Sequence, residues 1–141
     1  MVDPYNLERF VQAQAFNYND ALAELRHGKK QTHWMWYVFP QIEGLGNSAR
    51  ACEFSIKSES EARAYLDHPL LGPRLLECAK TVLDIVGRSA HDIFGSPDDM
   101  KLRSCATLFA RVPSDPVFQL ILDKYFVGNA DDRTLRLLGP Q

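Results

Sequence analysis

One aromatic stretch interrupts the helical pattern of this 141-residue chain: Gly28-Lys29-Lys30-Gln31-Thr32-His33-Trp34-Met35-Trp36-Tyr37-Val38-Phe39-Pro40-Gln41. The apolar run from Trp34 to Phe39 fits either a short strand or one buried helical turn, and Pro40 ends it. We therefore expect an aromatic segment near residues 32–56 that is irregular or briefly extended, with helices before and after it.

Capping residues mark the starts of those helices. Ser58 precedes Glu61 by three positions, the spacing of a capping box, and Ser89 precedes Asp92 at the same spacing with a weaker acidic partner. Glycines such as Gly28 accept the left-handed backbone in which helices commonly end. Together with apolar stripes at helical spacing, these signals predict helices near 4–15, 17–27, 58–66, 72–86, 89–94, 97–111, 116–127 and 131–138.

The predicted fold is mainly α: a compact single-domain bundle of roughly six to eight short helices over residues 1–141. A hydrophobic content of 45% is enough for a core. The formal net charge of −2 argues against a nucleic-acid partner. The chain begins without a signal-peptide pattern and its longest apolar run is too short to span a bilayer, so we expect a cytoplasmic protein with no membrane partner. No pattern favours a particular oligomeric state.

Cysteine and histidine usage predicts neither a metal site nor a cofactor. Cys52, Cys78 and Cys105 are far apart, and the four histidines form no zinc-binding spacing. Cys78 and Cys105 have apolar neighbours in helical segments, so we interpret them as buried free thiols rather than nucleophiles.

The aromatic stretch is the main candidate for a binding site. Trp34 and Trp36 can stack on a planar ligand, while His33, Lys30 and Gln41 can bond to its edges. The alternative is an aromatic core segment whose indole N–H groups bond to the backbone. For Lys30, which follows a helix-ending glycine, the choice lies between a phosphate contact and a charge that complements the helix end.

Three residues outside the stretch are further candidates for ligand binding. Gln14 becomes one if it is buried, because an interior amide needs partners at both ends. His68 and Arg74 flank a helix junction, where they either satisfy a turn and a helix surface or contact an anion.

The motifs, in their order along the chain, resemble the bacterial family catalogued as domain of unknown function 1810. That family implies a compact, mainly helical fold and no established activity. The label calpastatin, sometimes given to its members, does not suit a sequence of capped helices and aromatic residues. The matching motifs are Arg9-Phe10-Val11-Gln12-Ala13-Gln14, Gly28-x-Lys30-x-x-His33-Trp34-Met35-Trp36, Phe39-Pro40-Gln41, Gly44-Leu45-Gly46, Tyr65-Leu66-x-His68-x-Leu70-Leu71-Gly72-x-Arg74-Leu75, Ile93-Phe94-Gly95, Asp98-x-x-Lys101-Leu102, Thr107-Leu108-Phe109 and Lys124-Tyr125-Phe126.

A fainter similarity links the Gln12-Ala13-Gln14 helix to the Phe-Gln-Ala-Gln helix of the NADAR family, which implies N-glycosidase chemistry on compounds related to ADP-ribose. Our leading hypothesis is accordingly a pocket for a nucleotide-like small molecule, with N-glycosidase-type hydrolysis as its catalytic form. Such hydrolysis needs a carboxylate and a proton donor, for which Asp98, His33 and Lys101 are the candidates. The alternative for Asp98 is helix capping. A non-catalytic protein-interaction module is the alternative function.

Overall fold

Ten α-helices follow one another in the computed structural model of the chain, which describes residues 2–112 and 115–140. Over these ranges there is no strand, and Ile42 and Ile56 form an isolated parallel β-bridge. None of the helices within them has the length and apolar character needed to cross a membrane. The helices are α1 (Glu8–Gln14), α2 (Tyr18–Arg26), α3 (Met35–Val38), α4 (Ala49–Glu53), α5 (Glu59–Asp67), α6 (Leu71–Leu83), α7 (Ala90–Phe94), α8 (Asp98–Arg111), α9 (Val117–Phe126) and α10 (Asp132–Leu138).

The mainly helical class is confirmed, but the predicted number of six to eight helices was too low for the described chain. The two additional helices, α3 and α4, both lie in the segment 32–56 and have only four and five residues. Helices this short contain about one turn, too little for apolar periodicity to appear. Of the two alternatives for the run Trp34–Phe39, the structure contains the buried helical turn.

The complete capping box also forms at a different serine from the one that fits the motif best. The Ser58 hydroxyl accepts from the Glu61 N–H at 3.1 Å, but the Glu61 carboxylate accepts from Arg9 and from the Lys57 N–H instead. The reciprocal pair forms between Ser89 and Asp92, with both bonds at 3.0 Å. The Glu61 carboxylate therefore pairs with Arg9 instead of completing the capping box at Ser58.

Helix α8 lies at the centre of the packing, because α5, α7, α9 and α10 all contact it. Its Phe109 ring lies 5.6 Å from the ring of Tyr65 in α5 and 5.5 Å from that of Phe118 in α9. The thiols of Cys78 and Cys105 are buried in the same core, as predicted. Burial raises the pKa of Cys78 to about 12 and the pKa of Cys105 well above its ordinary value, so neither thiol is poised as a nucleophile.

A single arginine ties α1 to the segment that leads into α5. The Arg9 guanidinium donates to the carbonyls of Tyr5, Asn6, Glu53 and Ser55 at 2.6–2.8 Å and forms a salt bridge of 2.7 Å with Glu61. The Glu61 side chain is only 2% exposed. Removing the arginine would leave a buried carboxylate without its counter-charge, which is more costly than never having formed the pair.

We expect Arg9→Met to lower the free energy of unfolding by about 3–5 kcal/mol, the usual cost of breaking a buried ion pair from one side. Urea denaturation followed by circular dichroism measures this. Arg26→Met is the matched control, because the Arg26 and Glu77 side chains are 64% and 48% exposed and lie 4.0 Å apart. The control should change stability by less than about 1 kcal/mol, and equal losses for both variants would contradict the role given to Arg9.

Candidate functional site

The one-turn helix α3 turns a single large side chain towards the surface. Met35, Tyr37 and Val38 are at most 3% exposed, whereas Trp36 is only partly buried. Successive residues on a helix point about 100° apart, so a single turn with three buried members directs the fourth outwards. Trp36 therefore contributes part of its indole to the protein surface.

The other tryptophan is held in the interior by a glutamate from α2. The Glu24 carboxylate accepts hydrogen bonds from the Gln31 N–H at 2.6 Å, the Thr32 N–H at 2.9 Å and the Thr32 hydroxyl at 2.7 Å. It also accepts from the Trp34 indole N–H at 3.0 Å, and Trp34 is 1% exposed. The Glu24 carboxylate thus helps to fix the loop that leads into α3, together with backbone bonds such as that from the Lys30 N–H to the Ile93 carbonyl at 2.7 Å.

Trp36 forms one wall of an open cleft of about 520 Å³, which we call the Trp36 cleft. Its lining comes from the end of α3, the loop before α4, the first turns of α8 and the start of α10. The remaining lining residues are Gln41, Leu45, Gly46, Asn47, Ser48, Ala51, Pro97, Met100, Lys101, Ser104, Asp131 and Arg133.

Cationic side chains surround the indole. The Lys101 ammonium lies 5.3 Å from the centroid of the Trp36 ring, and the Arg50 guanidinium lies 5.8 Å from it. Arg133 lines the same cleft, with its guanidinium 3.5 Å from the Gly44 carbonyl oxygen. Among the described residues that line the cleft, Asp131 is the only one with a carboxylate, and it accepts from the Thr134 N–H at the start of α10. The cleft therefore offers a π surface beside positive charge.

Behind this cleft, one carboxylate joins two lysines. Asp98 Oδ2 lies 3.0 Å from the Lys30 ammonium, and Asp98 Oδ1 lies 3.3 Å from the Lys101 ammonium. The side chains of Lys30, Asp98 and Lys101 are 7%, 18% and 26% exposed, so the row runs outwards from the interior. The Lys30 ammonium also lies 5.1 Å from the centroid of the Trp34 ring.

The structure brings some of the predicted site residues together. Trp36, Gln41 and Lys101 line the same cleft. Asp98 and Lys30 adjoin it through the lysine–aspartate row. His33 lies at the surface, and its backbone carbonyl accepts from the Tyr37 hydroxyl at 3.4 Å.

Gln14, Arg74 and His68 lie elsewhere. The buried Gln14 amide donates to the Tyr37 carbonyl at 2.7 Å and accepts from Arg74 at 3.4 Å. His68 Nδ1 accepts from the backbone N–H groups of Leu70 and Leu71 at 3.1 and 3.2 Å, where α6 begins. Gln14 thus has the paired partners expected of an interior amide, and His68 satisfies a turn. None of these three residues lines the Trp36 cleft.

The sequence analysis did not identify several residues of the site. Asp131 and Arg133, at the start of α10, are remote in sequence from the aromatic stretch, and only the fold places them in the same cleft as Trp36. Arg50, in α4, is nearer in sequence, but its position beside the Trp36 ring also depends on the fold. Glu24 was also missed, because a glutamate on a helix gives no sign that it will accept four hydrogen bonds from a loop. The Gly44-Leu45-Gly46 sequence, which is typical of a turn, is a local signal for this part of the lining.

Comparison with known proteins identifies the family. The family model described as "Protein of unknown function (DUF1810)" matches residues 4–138. The chain belongs to the DUF1810 family. This DUF1810 chain is 51% identical to the conserved hypothetical protein Rv1873 from Mycobacterium tuberculosis. The crystal structure of that protein aligns with a TM-score of 0.96 over 99% of this chain and 100% of the other. No curated protein matches the DUF1810 chain.

The Glu24 carboxylate should make the stability of the DUF1810 chain depend on pH. Its partial burial acts to raise the pKa of Glu24, but hydrogen bonds from Thr32, Gln31 and Trp34 outweigh it, and the net pKa is below its ordinary value of 4.5. Ionised Glu24 therefore stabilises the folded state fully above about pH 4.5. That contribution is lost as the pH falls through the folded-state pKa.

We expect Glu24→Gln to lower the free energy of unfolding at about pH 7 by about 1–3 kcal/mol, because the amide cannot accept all four bonds. The deficit should shrink as the pH falls through the folded-state pKa of Glu24, because the wild-type carboxyl then also becomes neutral. Urea denaturation at several pH values measures it. Glu8→Gln, at an exposed residue that accepts from Gln12, is the control and should stay within about 0.5 kcal/mol. A deficit for Glu24→Gln that does not change with pH would contradict this role.

Proposed function

We propose that the DUF1810 chain binds an anionic, nucleotide-like small molecule in the Trp36 cleft. The observation that supports this most directly is the partly exposed Trp36 indole with the Lys101 ammonium 5.3 Å from its centroid, in the wall of a cleft of about 520 Å³. Clefts that bind small molecules commonly have volumes of about 300–1,000 Å³ and join apolar or aromatic walls to a few polar groups.

The planar part of such a ligand would lie against Trp36. Base–aromatic stacking contributes about 1–3 kcal/mol per base and tolerates any base, because every base has a π face. Gln41 lines the same cleft as the indole, and its amide has both a donor and an acceptor for the edge of a heterocycle. These groups therefore suit a nucleobase or a ring of similar size.

The anionic part would lie between Lys101 and Arg133. An arginine fork can contact two oxygens of a phosphate at once, and a lysine acts as a compact point charge. Lys101 comes from α8 and Arg133 from α10, two helices that pack against each other. Packing fixes the helix backbones that carry both cations, so a ligand would mainly order their side chains, above all that of exposed Arg133.

We expect wild-type protein to bind AMP or ADP-ribose with quenching of tryptophan fluorescence, and Trp36→Ala to weaken binding by about 5- to 150-fold. Lys101→Met should weaken binding of the phosphorylated compounds while leaving adenosine nearly unaffected. Isothermal titration calorimetry measures the affinities. His68→Ala is the control, because His68 lies outside the cleft. Absence of a thermal shift or heat signal for wild-type protein with AMP, ADP-ribose and NAD at millimolar concentration would refute the proposal.

The geometry supports binding better than hydrolysis. Cleavage of an N-glycosidic bond needs a carboxylate that can stabilise positive charge at the sugar or activate water. Both oxygens of Asp98 already contact lysine ammonium groups, and Asp131 accepts bonds at the start of α10. Of the other two candidates for catalysis, Lys101 lines the cleft and His33 does not.

We therefore expect ADP-ribose and NAD to be recovered intact after prolonged incubation with the protein, as measured by anion-exchange chromatography. Asp98→Asn provides the comparison. Release of nicotinamide from NAD or of adenine from ADP-ribose by the wild type, with loss of that release in Asp98→Asn, would instead establish N-glycosidic hydrolysis and make Asp98 its carboxylate.

A further inference from the structure

We infer that buried Lys30 makes the Trp36 cleft selective for anions by neutralising Asp98 from the interior, so that the positive charge of Lys101 is available to the cleft. The inference relies on the proposed function for the position of the site, but it concerns the electrostatics of that site. It assigns Lys30 the role of a positioning and specificity-determining residue that does not touch the ligand.

Lys30 and Lys101 lie on different sides of Asp98, and only one of them reaches the cleft. Lys30 and Lys101 contact different oxygens of Asp98, at 3.0 and 3.3 Å, so both pairs exist together. Lys101 belongs to the cleft lining, whereas Lys30 does not. With a side chain 7% exposed and its ammonium close to the Trp34 ring, Lys30 lies on the interior side of the carboxylate.

The charges explain why this order matters. Two ammonium groups and one carboxylate leave one unit of positive charge in the row, and the outermost member of the row is Lys101. Without Lys30, Asp98 would cancel the charge of Lys101, and a ligand phosphate would compete with a carboxylate for the same ammonium group. Lys30 thus neutralises Asp98, so that the Lys101 ammonium is available to a ligand that Lys30 itself does not contact.

Collisional quenching of tryptophan fluorescence tests this charge without any nucleotide. The chain has two tryptophans, and Trp34 is 1% exposed, so quenchers in solution reach Trp36 preferentially. Iodide reports positive potential near the indole, and neutral acrylamide reports access alone. The variants are Lys30→Met, Asp98→Asn and the double variant, each compared at constant ionic strength with wild type.

The charges of Lys30, Asp98 and Lys101 predict an order of iodide quenching among the variants that a general loss of stability would not produce. Iodide quenching should rise in Asp98→Asn, fall in Lys30→Met, and return to the wild-type value in the double variant, which again has one positive charge. Each step should be about 1.5- to 2-fold, the effect of a unit charge roughly 10 Å from the ring at low salt. Acrylamide quenching should be equal in all four proteins.

We expect the double variant to fold even if a single variant does not, because it buries neither an unpaired Lys30 ammonium group nor an unpaired Asp98 carboxylate. If Lys30→Met alone does not fold, the inference is tested by Asp98→Asn against the double variant, which must again differ by that factor. Lys80→Met is the matched control, since it removes the same charge from an ion pair with Asp115 that is not part of the cleft. Equal iodide quenching across the row variants, or an equal fall in Lys80→Met, would overturn the inference.

A comparison of AMP with adenosine tests whether the charge of Lys30 affects ligand binding. Lys30→Met should weaken AMP binding about 1.5- to 2-fold or more while leaving adenosine binding unchanged. Unchanged AMP affinity in Lys30→Met would contradict a role in selectivity. If the iodide order holds but neither AMP nor ADP-ribose binds to any of the proteins, the proposed function fails while the electrostatic role of Lys30 stands.

Discussion

The burial of the one-turn helix α3 is the constraint on which the rest of the structure depends. No side chain caps its start, so local hydrogen bonding contributes little and packing must hold the turn. Trp34 and Phe39 both lie against the Phe94 ring of α7, at centroid distances of 6.5 and 5.9 Å. Tyr37 lies 5.4 Å from the Phe54 ring, between α4 and α5. The aromatic turn thereby joins elements that are far apart in sequence.

The packing of α3 also determines where the Trp36 indole lies at the protein surface. Because the neighbours of Trp36 are fixed in the core, its indole is held at the wall of the cleft instead of moving freely with a loop. Glu24 fixes the approach to α3 through four hydrogen bonds, and Lys30 lies on the same approach, against Trp34 and Asp98. A site supported from the interior in this way loses little conformational entropy on binding.

Local sequence signals predicted most of the helices, since caps and apolar stripes report on neighbouring residues. They left α3 open between a strand and a helical turn and did not predict α4, because both helices are too short to show a period. They were also wrong for the capping box at Ser58, where the Glu61 carboxylate pairs with Arg9. The composition of the aromatic stretch pointed to Trp36 and Gln41 as candidate ligand-binding residues, and both line the cleft. It could not separate them from Gln14, because a bond such as Arg74 to Gln14 joins residues sixty positions apart and depends on the whole fold.

The charge of the whole chain and the charge of the cleft have opposite signs, and this contrast favours a particular size of ligand. The formal net charge is −2, yet Lys101 and Arg50 lie near the Trp36 ring and Arg133 lines the same cleft. A long polyanion would extend beyond the cleft over a protein whose net charge is negative, which does not favour the binding of nucleic acid. A small anion engages only the local cations, whose attraction is felt within about one Debye length, roughly 8–10 Å at physiological salt. The electrostatics therefore favour a mononucleotide-sized ligand over a nucleic-acid strand.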